Sequence, residues 1–581
     1  METKSDLATN LTPGAAARVR KWLDDPAFAE FAPAIRERIA DGDWAALEAA
    51  FWTELPFGTA GRRGRMGPFG TATINDRTIG ESAQGLADYV RAYRAERNLA
   101  GEPRSAIAYD TRHRSRAFAE LCAEIMAAAG FRVLFFDEFR PTPELAFTVR
   151  ARRCDCGIMI SASHNPPSDN AIKVFWSTGG QINEPYDRAL VEHVGRVTTI
   201  ARTPFAQAVN AGTIEFCREA MDAGYRRAVS SQSCGGPRAL KVVYSPLHGV
   251  GRTSIEPILR AAGFHDVDTF GPHAEPDGDF PNVPDHVANP ESPAVFDAPI
   301  AHAERTGADL VLASDPDADR IGVAARTVTG GPFRTLGGNQ IGALLADFVL
   351  QRRRAAGTLT PEHFVVTTLV STDMLRRIAD DYGIRCYDDC YTGFKWIGAT
   401  IDDRGPERFV FGFEEAHGYL AGDYVRDKDG AVAALLLAEA AAEDRRVGRT
   451  LHERLDDVYR RVGCHVERTT ALTMPGADGM ARMQAIMRRL RSEPPRTIGG
   501  LNVIRVRDYS ACADRPRADL LVFDLDGGNR AAVRPSGTEP KIKFYLFTYD
   551  RPEHSQDLAA AKTRLNDRLA KLEADFLRYG A

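Results

Sequence analysis

Beyond residue 61 the chain repeats one pattern: a short apolar run, a loop rich in glycine or proline, and then an amphipathic segment. Ala106-Ile107-Ala108-Tyr109, Val133-Leu134-Phe135-Phe136, Leu240-Lys241-Val242-Val243-Tyr244 and Asp309-Leu310-Val311-Leu312-Ala313 are such runs. The alternation predicts α/β domains built on mainly parallel or mixed sheets. Upstream, Trp22, Leu23, Phe28, Phe31, Ile35 and Ile39 recur at roughly helical spacing. They predict helices across residues 13–51, broken near Pro26 and Pro33. A turn-rich stretch, Leu55-Pro56-Phe57-Gly58-Thr59-Ala60-Gly61, follows. Near the C-terminus the pattern changes. Residues 520–523, 531–533 and 542–547 read as strands and 558–577 as a helix, which predicts a smaller α+β domain. At 581 residues the chain is too long for one hydrophobic core. Divisions near 213, 333 and 460 give four units, 1–213, 214–333, 334–460 and 461–581.

Charge narrows the function. The 74 basic and 79 acidic residues leave a net charge of only -5. That argues against nucleic acid as a partner while leaving room for a local basic cleft that binds small anions. The N-terminus lacks the basic start and apolar core of a signal peptide. The richest apolar run, around 431–442, is interrupted by Glu439 and too short to cross a bilayer, so no membrane role is expected. Nine cysteines, an odd number spread thinly, suit reduced thiols in a cytoplasm. Cys154 with Cys156, and Cys386 with Cys390, lack the paired spacing of a zinc ribbon and read as buried or incidental thiols.

Four loops carry candidate chemistry. In the first, Ile158-Met159-Ile160-Ser161-Ala162-Ser163-His164-Asn165-Pro166-Pro167, a short strand delivers Ser163 as a possible nucleophile beside His164 and Asn165. Ser-His-Asn-Pro is also good turn chemistry, and no GxSxG elbow surrounds it. The second, Asp315-Pro316-Asp317-Ala318-Asp319-Arg320, follows a buried strand. Alternating carboxylates can converge on a hard divalent cation. An EF-hand starting at Asp315 would need glycine at 320 and glutamate at 326; both are arginine, so a compact Mg²⁺ site is favoured. The third, Phe409-Val410-Phe411-Gly412-Phe413-Glu414-Glu415-Ala416-His417-Gly418-Tyr419, ends a hydrophobic strand in paired glutamates that can accept hydrogen bonds from vicinal sugar hydroxyls. The fourth, Arg534-Pro535-Ser536-Gly537-Thr538-Glu539-Pro540-Lys541, offers a cation, hydroxyls and glycine-exposed amides for phosphate. It lacks the lysine–hydroxyl ending of a P-loop, so nucleotide binding is not implied. Three further patches suit phosphate or sugar. They are the glycine loop from Phe57 to Gly64 with Arg62 and Arg63, Tyr391-Thr392-Gly393-Phe394-Lys395-Trp396, and Arg426-Asp427-Lys428-Asp429-Gly430.

In this order the four loops resemble those of the α-D-phosphohexomutase superfamily, which contains phosphoglucomutases and phosphomannomutases. The resemblance runs from about residue 50 to the C-terminus, supported by Pro246-Leu247-His248-Gly249-Val250-Gly251. The helical N-terminal segment and the Gly-Phe-Glu-Glu loop look most like the branch of bacterial phosphoglucomutases and animal phosphopentomutase or glucose 1,6-bisphosphate synthase. The resemblance implies four domains around a central cleft, three related α/β domains and a smaller α+β domain, each contributing one loop.

It also implies roles. Ser163 would carry a phosphoryl group, and Asp315, Asp317 and Asp319 would hold Mg²⁺ together with an oxygen on Ser163. Lys173 matches the lysine placed near the family's phosphoserine and would act as the base, with His164 and Arg63 positioning phosphate. Arg534, Ser536, Gly537 and Thr538 would bind the substrate's own phosphate. Arg320, Thr392, Gly393, Lys395, Glu414, Ala416 and Lys428 would complete the substrate site. His417 is not given an acid–base role, because its loop is of the Phe-Glu-Glu type. The implied activity is interconversion of glucose 1-phosphate and glucose 6-phosphate, with a sugar 1,6-bisphosphate as intermediate and activator. Ala416, where many phosphoglucomutases have serine, keeps phosphopentomutase open as an alternative, with phosphomannomutase a further one. A phosphatase that hydrolyses the phosphoserine, or a non-catalytic sugar-phosphate sensor, are the other classes. The sequence sets no oligomeric state.

Overall fold

The computed structural model describes residues 2–58, 61–474, 478–513, 515–536 and 541–580. The N-terminal segment is a helical layer made of Glu2–Asn10, Pro13–Asp24, Ala32–Ala40 and Trp44–Phe51, with a short 3₁₀ turn at Pro26–Phe28. Trp22 packs against Phe28, Phe31 and Phe51 at the centre of this layer. The helices are broken near both prolines: Pro26 opens the 3₁₀ turn, and Pro33 sits in the first turn of Ala32–Ala40, where no intrahelical N–H is needed.

The first sheet contains β1 (Gly61–Arg65), β2 (Arg104–Tyr109), β3 (Arg132–Phe135), β4 (Cys156–Ile160), β5 (Asp169–Trp176) and β6 (Ile214–Phe216), in the order β1-β5-β4-β2-β3-β6. The second contains β7 (Val242–Ser245), β8 (Val267–Thr269), β9 (Leu310–Ser314), β10 (Ile321–Arg326) and β11 (Phe333–Leu336), ordered β11-β10-β9-β7-β8. The third holds β12 (Phe364–Thr368), β13 (Arg385–Cys390), β14 (Phe409–Glu414) and β15 (Gly418–Ala421), ordered β13-β12-β14-β15. Each of these three combines parallel central strands with at least one antiparallel strand. The fourth is antiparallel throughout: β16 (Cys464–Thr473), β17 (Thr497–Ile498), β18 (Leu501–Asp508), β19 (Leu521–Leu525), β20 (Asn529–Pro535) and β21 (Lys541–Asp550). Helix Leu558–Leu577 lies against β16 and β21. The expected three mixed α/β units and one α+β unit are therefore present. The first and second sheets run a few residues past the divisions placed at 213 and 333, through β6 and β11.

One topological feature positions the chemistry. All four candidate loops join consecutive antiparallel strands: β4 to β5, β9 to β10, β14 to β15, and β20 to β21. Such a loop is held at both ends by its own sheet. The glycine loop expected from Phe57 to Gly64 behaves differently. From Gly61 it is β1, an edge strand paired with β5, with Arg63 opposite Ala171. Arg62 bonds the Thr78 carbonyl and Glu81, a structural tie.

Candidate active site

Ser163 adopts φ 51°, a left-handed conformation that serine avoids at a cost of about 1–2 kcal/mol. Its surroundings hold it there. The Ser163 amide donates to Ser161 Oγ at 2.9 Å. Arg112, buried to 3% exposure, points its guanidinium at the loop's own carbonyls. It donates to those of Ser163 and Asn165, to Pro166 at 2.7 Å and to Asp169 at 3.1 Å. Asp110 faces Arg112 at 3.4 Å and ties the next strand in by donating its amide to the Ile160 carbonyl. The Ser163 loop is thus wrapped around an internal cation.

The aspartate loop meets this loop directly. Ser163 Oγ donates to Asp315 Oδ2 at 2.5 Å. Asp315, Asp317 and Asp319 are 0–1% exposed, and one oxygen from each lies within 4.8 Å of the others. Cations from three sides compensate this charge. Lys173, on β5, lies 2.6 Å from Asp317 Oδ2, and Lys428, from the third unit, 2.7 Å from Asp319 Oδ2. The Arg320 amide donates to Asp315 Oδ1 at 3.1 Å. Its guanidinium is held by Glu291 at 2.6 Å. Burial and the neighbouring aspartates push Asp315 well above the usual carboxylate range. Burial also acts on Asp317, but Lys173 outweighs it and holds that group low. Asp317 Oδ1 and Asp319 Oδ1 are buried with no hydrogen-bond partner among the described residues. Oxygen-only donors, three carboxylates and open lone pairs fit a hard divalent cation such as Mg²⁺.

His164 Nδ1 stands 3.4 Å from Ser163 Oγ. Desolvation, with Arg320 and Arg63 nearby, pushes it well below the ordinary histidine range, so it is neutral at pH 7 and can accept or donate one hydrogen bond without charge. Glu414 ends β14 and accepts the Gly393 amide at 2.7 Å, an orientation that Gly393 reaches through φ 114°. The Thr392 hydroxyl beside it is buried without a partner among the described residues. Lys395 is drawn across to Asp187 of the first unit, 3.7 Å away, and burial lowers its pKa against that carboxylate's pull.

The paired glutamates do not act as a pair. Glu415 turns away from Glu414 toward Ser371, and burial together with the charge of Glu414 raises it to about 8. With Ala416 and with Glu291, the partner of Arg320, it lines a cavity of about 410 Å³ that reaches Lys543 and Tyr545 of the fourth sheet. Arg534 is opposite Lys543 across β20 and β21 and bonds the Tyr545 hydroxyl. The Ser536 amide donates to the Lys541 carbonyl at 2.7 Å. Gly537 and Thr538 lie outside the described residues.

Family models described as the alpha/beta/alpha domains I, II and III of phosphoglucomutase/phosphomannomutase match residues 54–200, 223–330 and 337–462. The phosphoglucomutase of Staphylococcus epidermidis is 34% identical over 510 residues, covering 85% of this chain and 90% of its own length. The chain belongs to the phosphoglucomutase/phosphomannomutase family. The phosphoglucomutase of Staphylococcus aureus is 33% identical over 515 residues, with 85% of this chain and 90% of its own covered. Two solved structures share the fold. A phosphoglucomutase/phosphomannomutase family protein from Burkholderia thailandensis has a TM-score of 0.66 at 20% identity, covering 91% of this chain and 97% of its own. Parafusin (phosphoglucomutase) from Paramecium, in its open form, has a TM-score of 0.65 at 16% identity, covering 89% and 95%.

Within the family fold, four site residues escape a reading of the sequence: Asp110, Arg112, Thr142 and Glu291. Asp110-Thr111-Arg112 begins where β2 ends, at the same sheet edge as Ser161, so its position after a strand was the available signal. Glu291 has no such signal. It reaches Arg320 from a long irregular loop, 29 residues away in sequence.

Proposed function

We propose that the protein is a phosphosugar mutase that interconverts glucose 1-phosphate and glucose 6-phosphate through a phosphoserine at Ser163. The carrying observation is the 2.5 Å contact between Ser163 Oγ and Asp315, inside a buried aspartate triad in a chain of this family. Mg²⁺ would be held by Asp315, Asp317, Asp319 and an oxygen on Ser163, and would supply positive charge for the transferring phosphoryl group.

Every other step belongs to the chain. Arg534, Ser536, Gly537 and Thr538 take the substrate's own phosphate. Glu414, with Thr392, Gly393, Lys395, Arg320 and Lys428, receives the sugar hydroxyls and the second phosphate. The free hydroxyl oxygen bonds to phosphorus as the bond to Ser163 Oγ breaks, and its proton passes to Lys173, whose ammonium, paired with Asp317 at 2.6 Å before substrate binds, must first release a proton to solvent. His164 and Arg63 hold the phosphoryl oxygens. The product of this step is a glucose 1,6-bisphosphate. It turns over, returns its other phosphoryl group to Ser163 and leaves as the isomer. A carboxylate such as Glu414 accepts from hydroxyls in either orientation, which a substrate that binds both ways round requires. The free cysteines support a reducing compartment such as the cytoplasm.

A second reading rests on Ala416, which offers no hydroxyl to a hexose: ribose or deoxyribose 1-phosphate would then be the better substrate. The deciding experiment follows glucose 6-phosphate and inorganic phosphate together, with glucose 1-phosphate as substrate and catalytic glucose 1,6-bisphosphate. Isomer without stoichiometric phosphate release supports the mutase, and phosphate release alone refutes it. Intact mass should find one phosphoryl group, lost with activity in Ser163→Ala.

A further inference from the structure

Thr142 stands in the first turn of helix Thr142–Ala151, on the serine-bearing unit, yet both of its donors are spent on the metal loop of the second unit. Its amide donates to the Asp317 carbonyl at 3.0 Å, and its hydroxyl to Asp317 Oδ2 at 2.6 Å. Thr142 and Asp317 are both fully buried. The amide is one of the donors that a helix leaves unpaired at its N-terminus. The flanking segment is fixed as well: Arg140 donates its amide to the Tyr109 carbonyl and grips Asp222 with two hydrogen bonds of 2.8 and 2.9 Å.

The two oxygens of Asp317 are consequently unequal. Oδ2 takes the Thr142 hydroxyl and the Lys173 ammonium, while Oδ1 takes nothing among the described residues. Lys173 cannot set this division, because an ammonium on four methylenes follows the carboxylate wherever it turns. Thr142 can: its β-branched side chain has few rotamers and its backbone is pinned to the same residue.

We propose that Thr142 is a positioning residue for the cation. It saturates one oxygen of Asp317, presents the other to the metal, and sets the distance between the serine-bearing sheet and the cation centre. This rests on the reading of the triad as a divalent-cation site. Removing a partner that orients a metal ligand typically costs ten- to a hundredfold in affinity.

The test is Mn²⁺ binding to the full-length protein, followed by electron paramagnetic resonance, for wild type, Thr142→Val and Thr142→Ser. Wild type should bind one Mn²⁺ per chain. Thr142→Val, isosteric but without the hydroxyl, should bind roughly ten- to a hundredfold more weakly. Thr142→Ser, which restores the donor, should stay within about threefold of wild type, since the hydrogen bond is retained. In turnover, Thr142→Val should need correspondingly more Mg²⁺ for half-maximal rate. Unchanged affinity in Thr142→Val overturns the inference and leaves the cation site standing. So does a Thr142→Ser protein as weak as Thr142→Val, whatever the fold of the valine variant. Wild type that binds no Mn²⁺ overturns the cation site and this inference together.

Discussion

Arg112 is the most exacting point at which to perturb the nucleophile loop. Its guanidinium serves four carbonyls within seven residues and faces the buried Asp110. Arg112→Met keeps much of the volume but leaves Asp110 as an uncompensated buried charge and strands those carbonyls. Breaking a buried pair from one side costs about 3–5 kcal/mol. For a cooperative unit of 150–250 residues each kcal/mol lowers the melting temperature by about 2–4 °C, so the transition of the serine-bearing unit should fall by roughly 6–20 °C. Arg112→Lys separates stability from function. It keeps the charge but offers three donors from one point in place of a planar fork, so it cannot reach all four carbonyls. With Ser163 no longer held at φ 51°, Arg112→Lys should fold with a smaller shift yet lose most of its kcat, with KM little changed. Calorimetry and steady-state kinetics on both variants check this. An Arg112→Met protein that melts within 2–3 °C of wild type, about 1 kcal/mol on the same scale, would refute the reasoning.

Other outcomes follow from the same geometry. Asp317→Asn should weaken divalent-cation binding and slow turnover strongly, and EDTA should abolish activity until Mg²⁺ is restored; full rate in metal-free buffer contradicts the triad's role. Ala416→Ser should move the ratio of kcat/KM toward glucose 1-phosphate over ribose 1-phosphate by roughly two- to tenfold, the worth of one neutral hydrogen bond. A wild-type preference for pentose beyond about a hundredfold exceeds such a bond and makes the pentose reading the better one. Glu415 has a pKa raised to about 8 when folded, so the native state holds its proton more tightly than the unfolded chain. Its contribution to stability is therefore full below the ordinary glutamate range and declines as pH rises through about 8. Urea melts at pH 5 to 9 should show a shallower decline for Glu415→Gln than for wild type, and identical slopes would remove Glu415 from the account.

Much of this arrangement was legible before any coordinates. Apolar runs marked β2, β3, β7 and β9 because buried strands need them, and the helix read at 558–577 lies at Leu558–Leu577. Ser163 and the three aspartates stood out because reactive groups at strand ends leave short, unusual strings. Arg112 and Thr142 did not, since their partners are backbone carbonyls and a carboxylate on other segments, and a donor's target is invisible in its own neighbourhood. The paired glutamates misled for a simpler reason: neighbours at the end of a strand face opposite ways, so only Glu414 turns to Gly393. The stretch from Phe57 to Gly64 misled because an edge strand rich in glycine and arginine has the composition of a loop.

Helix Gly430–Arg446 is buried along nearly its whole length. One hydrophobic cluster runs through it, taking in Val242, Leu312 and Val323 of the second sheet and Val365, Phe411 and Phe413 of the third. The fourth sheet has its main cluster around Phe523, Val533 and Leu569, and meets the third through a smaller one that joins Leu369 and Val370 to Val522 and Phe547. Sheets and cooperative units are therefore counted differently. The second and third sheets should lose structure in a single step, and the amides of this helix should exchange with solvent only when both have opened. Exchanging the second sheet alone for that of a relative would leave this helix with a mismatched face. A viable chimera has to move the second and third sheets together with this helix, and to keep the face that the third sheet shares with Leu134, Met159 and Phe175 of the first.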